Sequence, residues 1–183
     1  MALLETPALD KTLQAPDFTL KNVDGRDVSL TDAMGKNGTV IAFICNHCPY
    51  VLAVIERFVA TANKLKDKGI NTIAVMPNDT ANYPADSYEN MIEFAQKYAF
   101  EFPYLIDETQ DTAKAYGAVC TPDIFGIDSN GQILYRGRLD SAGKGDADEK
   151  TVPELYNAML EIADNKDVSA QQFPSMGCSI KWK

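Results

Sequence analysis

One stretch limits this chain more than any other: GTVIAFI (38–44), then CNHC (45–48), Pro49 and the run to Gly69. GTVIAFI is apolar almost throughout and rich in β-branched residues, as a strand buried on both faces requires. Beyond Pro49, Val51, Val54, Ile55, Phe58, Val59, Ala62 and Leu65 recur at helical spacing, and Gly69 supplies a stop. The segment therefore predicts a central strand feeding a helix. Two cysteines and the chain's single histidine sit at the junction.

The rest of the chain extends the same alternation. PDFTL (16–20) and RDVSL (26–30) flank NVDG, whose Asp24-Gly25 signals a tight turn. NTIAVM (71–76) and FPYLID (102–107) predict further strands. Asp86 with Glu89 predicts a capping pair for the helix SYENMIEFAQKYA, and a short helix ends at Gly117. DIFGID and QILYRGRL around Asn130-Gly131 predict a hairpin. Thr151 with Glu154 predicts the cap of a last helix, VPELYNAMLEIAD. Hairpin, β-α-β-α-β-α, hairpin and helix together give an α/β class: a central mixed β-sheet flanked by helices, with an N-terminal β-hairpin and a C-terminal tail. The expected organisation is a single domain over 1–183, its core about 15–165 and its tail 166–183.

Bulk properties narrow the partners. With 183 residues at 45% hydrophobic, the chain can bury a sizeable core. Seventeen basic residues against 26 acidic give a net charge of −9, a poor match to phosphate backbones or anionic lipid. The start, MALLETPALDK, lacks a basic region followed by a long apolar run, and no apolar stretch approaches the ~20 residues needed to span a bilayer. Neither nucleic acid nor membrane is an expected partner. Four cysteines in a chain this long are no disulfide framework, and in a reducing, cytoplasmic setting they are catalytic or metal-binding more often than structural.

The pair Cys45 and Cys48 has three physical readings: buried thiols acting as small hydrophobes, half of a tetrahedral metal site, or a dithiol cycling with a disulfide. Their position between a strand and a helix N-terminus favours the third, because exposed helix N–H groups stabilise the nucleophilic thiolate.

The C-N-H-C run after a buried strand, with Thr121-Pro122 before the hairpin, resembles the thioredoxin fold. APDFTLKNVDGRDVSLTD (15–32) resembles the opening of the redoxin group, the alkyl hydroperoxide reductase/thiol-specific antioxidant family. The resemblance implies a thioredoxin-like fold, a cis Thr121–Pro122 bond, and a proline packed against the cysteine pair. It also implies that the backbone of Thr121 is free to pair with a substrate peptide. The implied activity is thiol-disulfide exchange with a disulfide-containing protein or small-thiol substrate, supplied by an electron donor such as a thiol reductase, with no cofactor and no resident metal. By resemblance Cys45 attacks and Cys48 resolves. Locally, Pro49 at the first helical position makes Cys48 the N-cap, nearest the helix field, so the choice between them stays open.

The same family contains thiol peroxidases, resembling P-x-x-x-T-x-x-C with a supporting arginine. With Cys48 in the peroxidatic slot, the threonine slot holds Cys45, the proline slot Ile41 and the arginine slot Pro122. Peroxidase, and with it an antioxidant role, is therefore the runner-up. A metal-binding or redox-sensing module without turnover is a third reading. His47 is the expected tuning group, as a partly charged imidazole beside the thiolate. Cys120 and Cys178 are candidate auxiliary thiols, and Met176, Ile180 and Trp182 predict that PSMGCSIKWK packs on the body.

Overall fold

The computed structural model describes residues 2–183. The chain begins with β1 (Leu3–Glu5), β2 (Thr19–Asn22), β3 (Asp27–Ser29) and α1 (Leu30–Ala33). The central unit follows: β4 (Thr39–Phe43), α2 (Pro49–Lys66), β5 (Asn71–Met76), α3 (Tyr88–Lys97), β6 (Tyr104–Ile106) and α4 (Asp111–Ala115). It closes with β7 (Cys120–Thr121), β8 (Asp123–Ile127), β9 (Ile133–Gly137), α5 (Glu154–Ala163) and β10 (Met176–Ser179).

A seven-stranded sheet runs in the order β3-β2-β6-β5-β4-β8-β9. β4, β5 and β6 are parallel, joined by helical crossovers, and the flanking strands are antiparallel. Alternation along β4 divides the core. Val40 and Ala42 face one cluster with Val51, Ile55 and Phe58 of α2; Ile41 and Phe43 face the other with Tyr116 and Phe125. Every apolar position read as the inner face of α2 is buried. Its N-cap is Cys48 and Pro49 is N1, so β4 and α2 place the C-x-x-C segment at the carboxyl end of the central strand.

Two predicted caps are not used. The N-cap of α3 is Ser87, whose hydroxyl accepts from Asn90 N–H, while Asp86 ends a short 3-10 turn and is fully buried. Thr151 accepts instead from the N–H of Asp148, and α5 starts after Pro153 with no side-chain cap. The tail is packed, as its apolar residues predict, though by a different route. Ile180 is buried, whereas Met176 and Trp182 are 41% and 42% exposed. What secures the segment is backbone pairing: β10 is the middle strand of a second sheet, β1-β10-β7.

Candidate active site

Four elements bring the site together. β4 ends just before Cys45, α2 begins just after Cys48, β7 carries Thr121, and β10 arrives from the tail. The Thr121–Pro122 peptide is cis. Cys45 Sγ lies 3.3 Å from Thr121 Oγ1, and the Cys48 thiol donates to Thr121 O at 3.1 Å. Both predicted cysteines thus meet on the predicted threonine–proline pair. They are unlinked thiols, 1% and 0% exposed.

Electrostatics separate the two sulfurs. The Cys48 thiol is pulled below its ordinary range, chiefly by the hydrogen bond from Cys45, against the opposing effect of burial. The thiol and N–H of Cys178 and the N–H of Val51 add to the pull. Its N-cap position supplies the helix field as well. Loss of the bond to Thr121 O on ionisation works the other way; the net direction is still downward. Cys45 is pushed up by holding its proton against Cys48, by burial and by the charge of Asp86.

Asp86, read from the sequence as a cap, is the hidden organiser of the segment. Its Oδ1 accepts from Asn46 N–H at 2.8 Å and its Oδ2 from the Asn78 amide at 2.7 Å. Tyr104 O–H donates to Asn46 Oδ1 at 2.9 Å. His47 Nδ1 lies 2.8 Å from Asp86 Oδ2 without hydrogen-bond geometry, and its ring stacks parallel to Tyr83 at 6.2 Å. His47 therefore turns toward a carboxylate. Sequence reasoning missed Asp86, Asn46, Asn78 and Tyr104. Ser87 was the available signal: serine caps as well as aspartate, and Ser87 in the cap frees Asp86 for another role. Cys45, His47 and Asp86 each offer one ligand atom within 4.8 Å of the others. These donors could meet a thiophilic ion, but both Asp86 oxygens are already engaged by Asn46 and Asn78.

The auxiliary thiols part company. Cys178 stands across from Thr121 in the β7–β10 ladder and reaches Cys48. Cys120 turns its thiol toward Pro122 O at 3.7 Å, and burial pushes that thiol's pKa up. The backbone of Thr121, expected to be free, is paired with the chain's own tail. The two arginines of the QILYRGRL strand, Arg136 and Arg138, are committed elsewhere. Arg136 binds buried Asp123 at 2.8 Å, and Arg138 binds Glu154 at 2.7 Å. Beside Pro122 a groove of about 380 Å³ is lined by Tyr50, Val54, Leu139, Phe173 and Met176 among others.

Residues 12–136 match the AhpC/TSA family. The thiol-disulfide oxidoreductase ResA of Geobacillus thermodenitrificans is 31% identical over 123 residues, covering 65% of this chain and 64% of ResA. The chloroplastic peroxiredoxin Q of Oryza sativa subsp. japonica is 29% identical over 136 residues, covering 69% of this chain and 58% of that protein. The chain thus spans a little under two thirds of the length of these curated relatives. Among solved structures, a conserved protein from Geobacillus kaustophilus superposes with a TM-score of 0.94 at 42% identity, covering 100% of this chain and 97% of the other. The thioredoxin domain of a thiol-disulfide oxidoreductase from Bacteroides vulgatus superposes with a TM-score of 0.59 at 23% identity, covering 70% of this chain and 89% of that domain. The fold is thioredoxin-like.

Proposed function

The chain belongs to the AhpC/TSA family, and from that premise we propose that it is a thiol-disulfide oxidoreductase working through a Cys45–Cys48 dithiol/disulfide couple. The observation that carries this reading is the convergence of both sulfurs on Thr121, beside the cis Thr121–Pro122 bond and at the N-terminus of α2.

Cys48 is the nucleophile in this scheme, a departure from the order that the family resemblance implies. Its thiolate, held by the Cys45 thiol and by backbone N–H groups, attacks one sulfur of a substrate disulfide and expels the other as a thiolate. Cys45 then attacks Cys48 Sγ. The Cys45–Cys48 bond forms, the second substrate thiolate leaves, and the proton of Cys45 goes to it. The substrate gains two electrons and the dithiol loses two. A reductant, such as a thiol reductase or a small thiol, resets the couple. The substrate class is a disulfide-containing protein or small disulfide, with the groove beside Pro122 as its docking surface. We place this chemistry in the cytoplasm, where cell fractionation can test it.

The peroxiredoxin Q likeness favours a second reading, peroxide reduction with an antioxidant role. Against it stand Cys45, Ile41 and Pro122 in the three supporting slots, and two arginines already paired with carboxylates. One experiment separates the two. Reduced protein is mixed with a protein disulfide or with hydrogen peroxide, and thiol loss is followed in time. We expect disulfide reduction that Cys48→Ser abolishes, a trapped mixed disulfide on Cys48 when Cys45 and Cys178 are both replaced by Ser, and peroxide oxidation no faster than that of a free low-pKa thiol. Rapid peroxide consumption without disulfide reduction would reverse the assignment.

A further inference from the structure

Cys178 lies outside the C-x-x-C motif, yet the fold brings it to the same sulfur. β10 pairs antiparallel with β7, so Cys178 faces Thr121 and Ser179 faces Cys120. Thr121 is also the residue on which Cys45 and Cys48 converge. Neighbouring strands lie about 4.8 Å apart, so the backbone at Cys178 runs one strand spacing from Thr121. Cys178 is buried in one cluster with both active-site cysteines, and β10 packs on α2, whose N-cap is Cys48.

This approach is built in. A Cβ on Gly177 would meet Thr121 O at 2.0 Å, so only glycine lets the strand lie this close to the Thr121–Pro122 peptide. The tail is anchored on both sides of Cys178. Ser175 Oγ donates to Pro122 O at 2.7 Å and Ile180 N–H to Val119 O at 3.1 Å. Asn78, whose amide holds Asp86, accepts from Lys181 N–H at 2.9 Å.

The geometry points to Cys178 as a third redox thiol, the internal exchange partner of Cys48. This inference rests on the oxidoreductase reading above. In the oxidised protein the Cys178 sulfur attacks Cys48 Sγ. A Cys48–Cys178 bond forms and the Cys45–Cys48 bond breaks. The electron pair returns to Cys45, which takes up the proton that Cys178 gives up. One disulfide exists before and after, and no outside oxidant is consumed. The same attack resolves a mixed disulfide on Cys48, with the substrate thiolate as leaving group.

Burial keeps the step internal. Cys45 and Cys48 are almost wholly enclosed, and Cys178 is 6% exposed, so the exchange runs between three thiols inside the fold. The exchange is also self-timed. Burial and then Cys48 push the Cys178 thiol up to about 11. Once Cys48 enters a disulfide its negative charge is gone, and Cys178 ionises more readily.

The test uses full-length Cys45→Ser protein. It is treated with oxidised glutathione, alkylated, digested without reductant and examined by mass spectrometry. The expected major product joins the Cys48 and Cys178 peptides, with little glutathione retained. A persistent Cys48–glutathione adduct with alkylated Cys178, or a Cys48–Cys120 link, overturns the inference. Oxidised wild type gives a second arm that does not depend on the variant's folding. It should yield both Cys45–Cys48 and Cys48–Cys178 peptides, whereas Cys178→Ser yields only the first. If wild type forms Cys45–Cys48 but never Cys48–Cys178, this inference alone fails. If it forms no Cys45–Cys48 link, the oxidoreductase reading fails.

Discussion

Asp86 shows how a buried charge shapes a thiol it does not touch covalently. The carboxylate is wholly enclosed, and its charge disfavours the Cys45 thiolate. Removing the carboxylate charge should therefore lower the pKa of Cys45. Asp86→Asn keeps an oxygen for Asn46 N–H, so the loop retains its anchor. We expect Asp86→Asn to lower the higher thiol pKa of the pair, with the couple becoming more oxidising. Thiolate absorbance titration and equilibration against a glutathione buffer measure the two. Equal values in wild type and Asp86→Asn would leave Asp86 as an anchor for the loop and nothing more.

At the scale of elements, what the sequence disclosed depended on how local the cause was. β4, β5 and α2 were legible because each carries its own periodicity: continuous apolar runs for buried strands, seven apolar positions at helical spacing for the helix. Cys45, Cys48, Thr121 and Pro122 were legible because two short motifs fall at element ends. Asp86 was misread because a capping rule sees only chain neighbours, whereas its partners Asn46, His47 and Asn78 come from other segments. β1 and β10 were missed for a related reason. Each is three or four residues long, and their pairing joins Leu3 to Cys178 across nearly the whole sequence. Only Gly177 betrays the arrangement, and only once Thr121 O is in view. Gly177→Ala is accordingly the sharpest probe of β10: the added methyl must push the strand off Thr121 while no thiol is removed from the chain. We expect amide hydrogens of residues 176–180 to lose exchange protection, and Cys48 to alkylate faster by about tenfold, the effect of about 1.4 kcal/mol in opening free energy. Unchanged protection and alkylation would mean that β10 does not control access to the site.

Across the whole molecule, the enclosed groups set a pH profile of stability whose sign can be worked out. Burial raises the pKa of Tyr104, Tyr116, Tyr135 and Cys120; Cys45 is raised mainly by its bond to Cys48 and then by burial. In the unfolded chain these thiols and phenols ionise near their ordinary values of 9.0 and 10.0. Above about pH 9 the unfolded state therefore binds fewer protons than the native state, and stability falls as pH rises. Cys48 acts in the opposite sense. Its folded pKa is depressed, so its contribution is complete above the unfolded value of 9.0 and is lost as pH falls toward the folded one. Buried Asp107 and Asp123 are raised and act against this rise at the acid end, so reduced protein should gain stability through neutral pH toward about pH 9 and lose it beyond. Because the rise toward about pH 9 belongs to one thiol, Cys48→Ser should flatten it and leave the alkaline fall set by Tyr104, Tyr116, Tyr135 and Cys120 in place. Oxidation to the Cys45–Cys48 disulfide should also flatten the rise and should remove the Cys45 share of the alkaline fall, since neither sulfur then titrates. Urea midpoints for reduced wild type, oxidised wild type and Cys48→Ser across this range measure the profile. A rise of equal slope in all three would assign it to the carboxylates, and the depressed thiolate at the N-terminus of α2 would have to be given up.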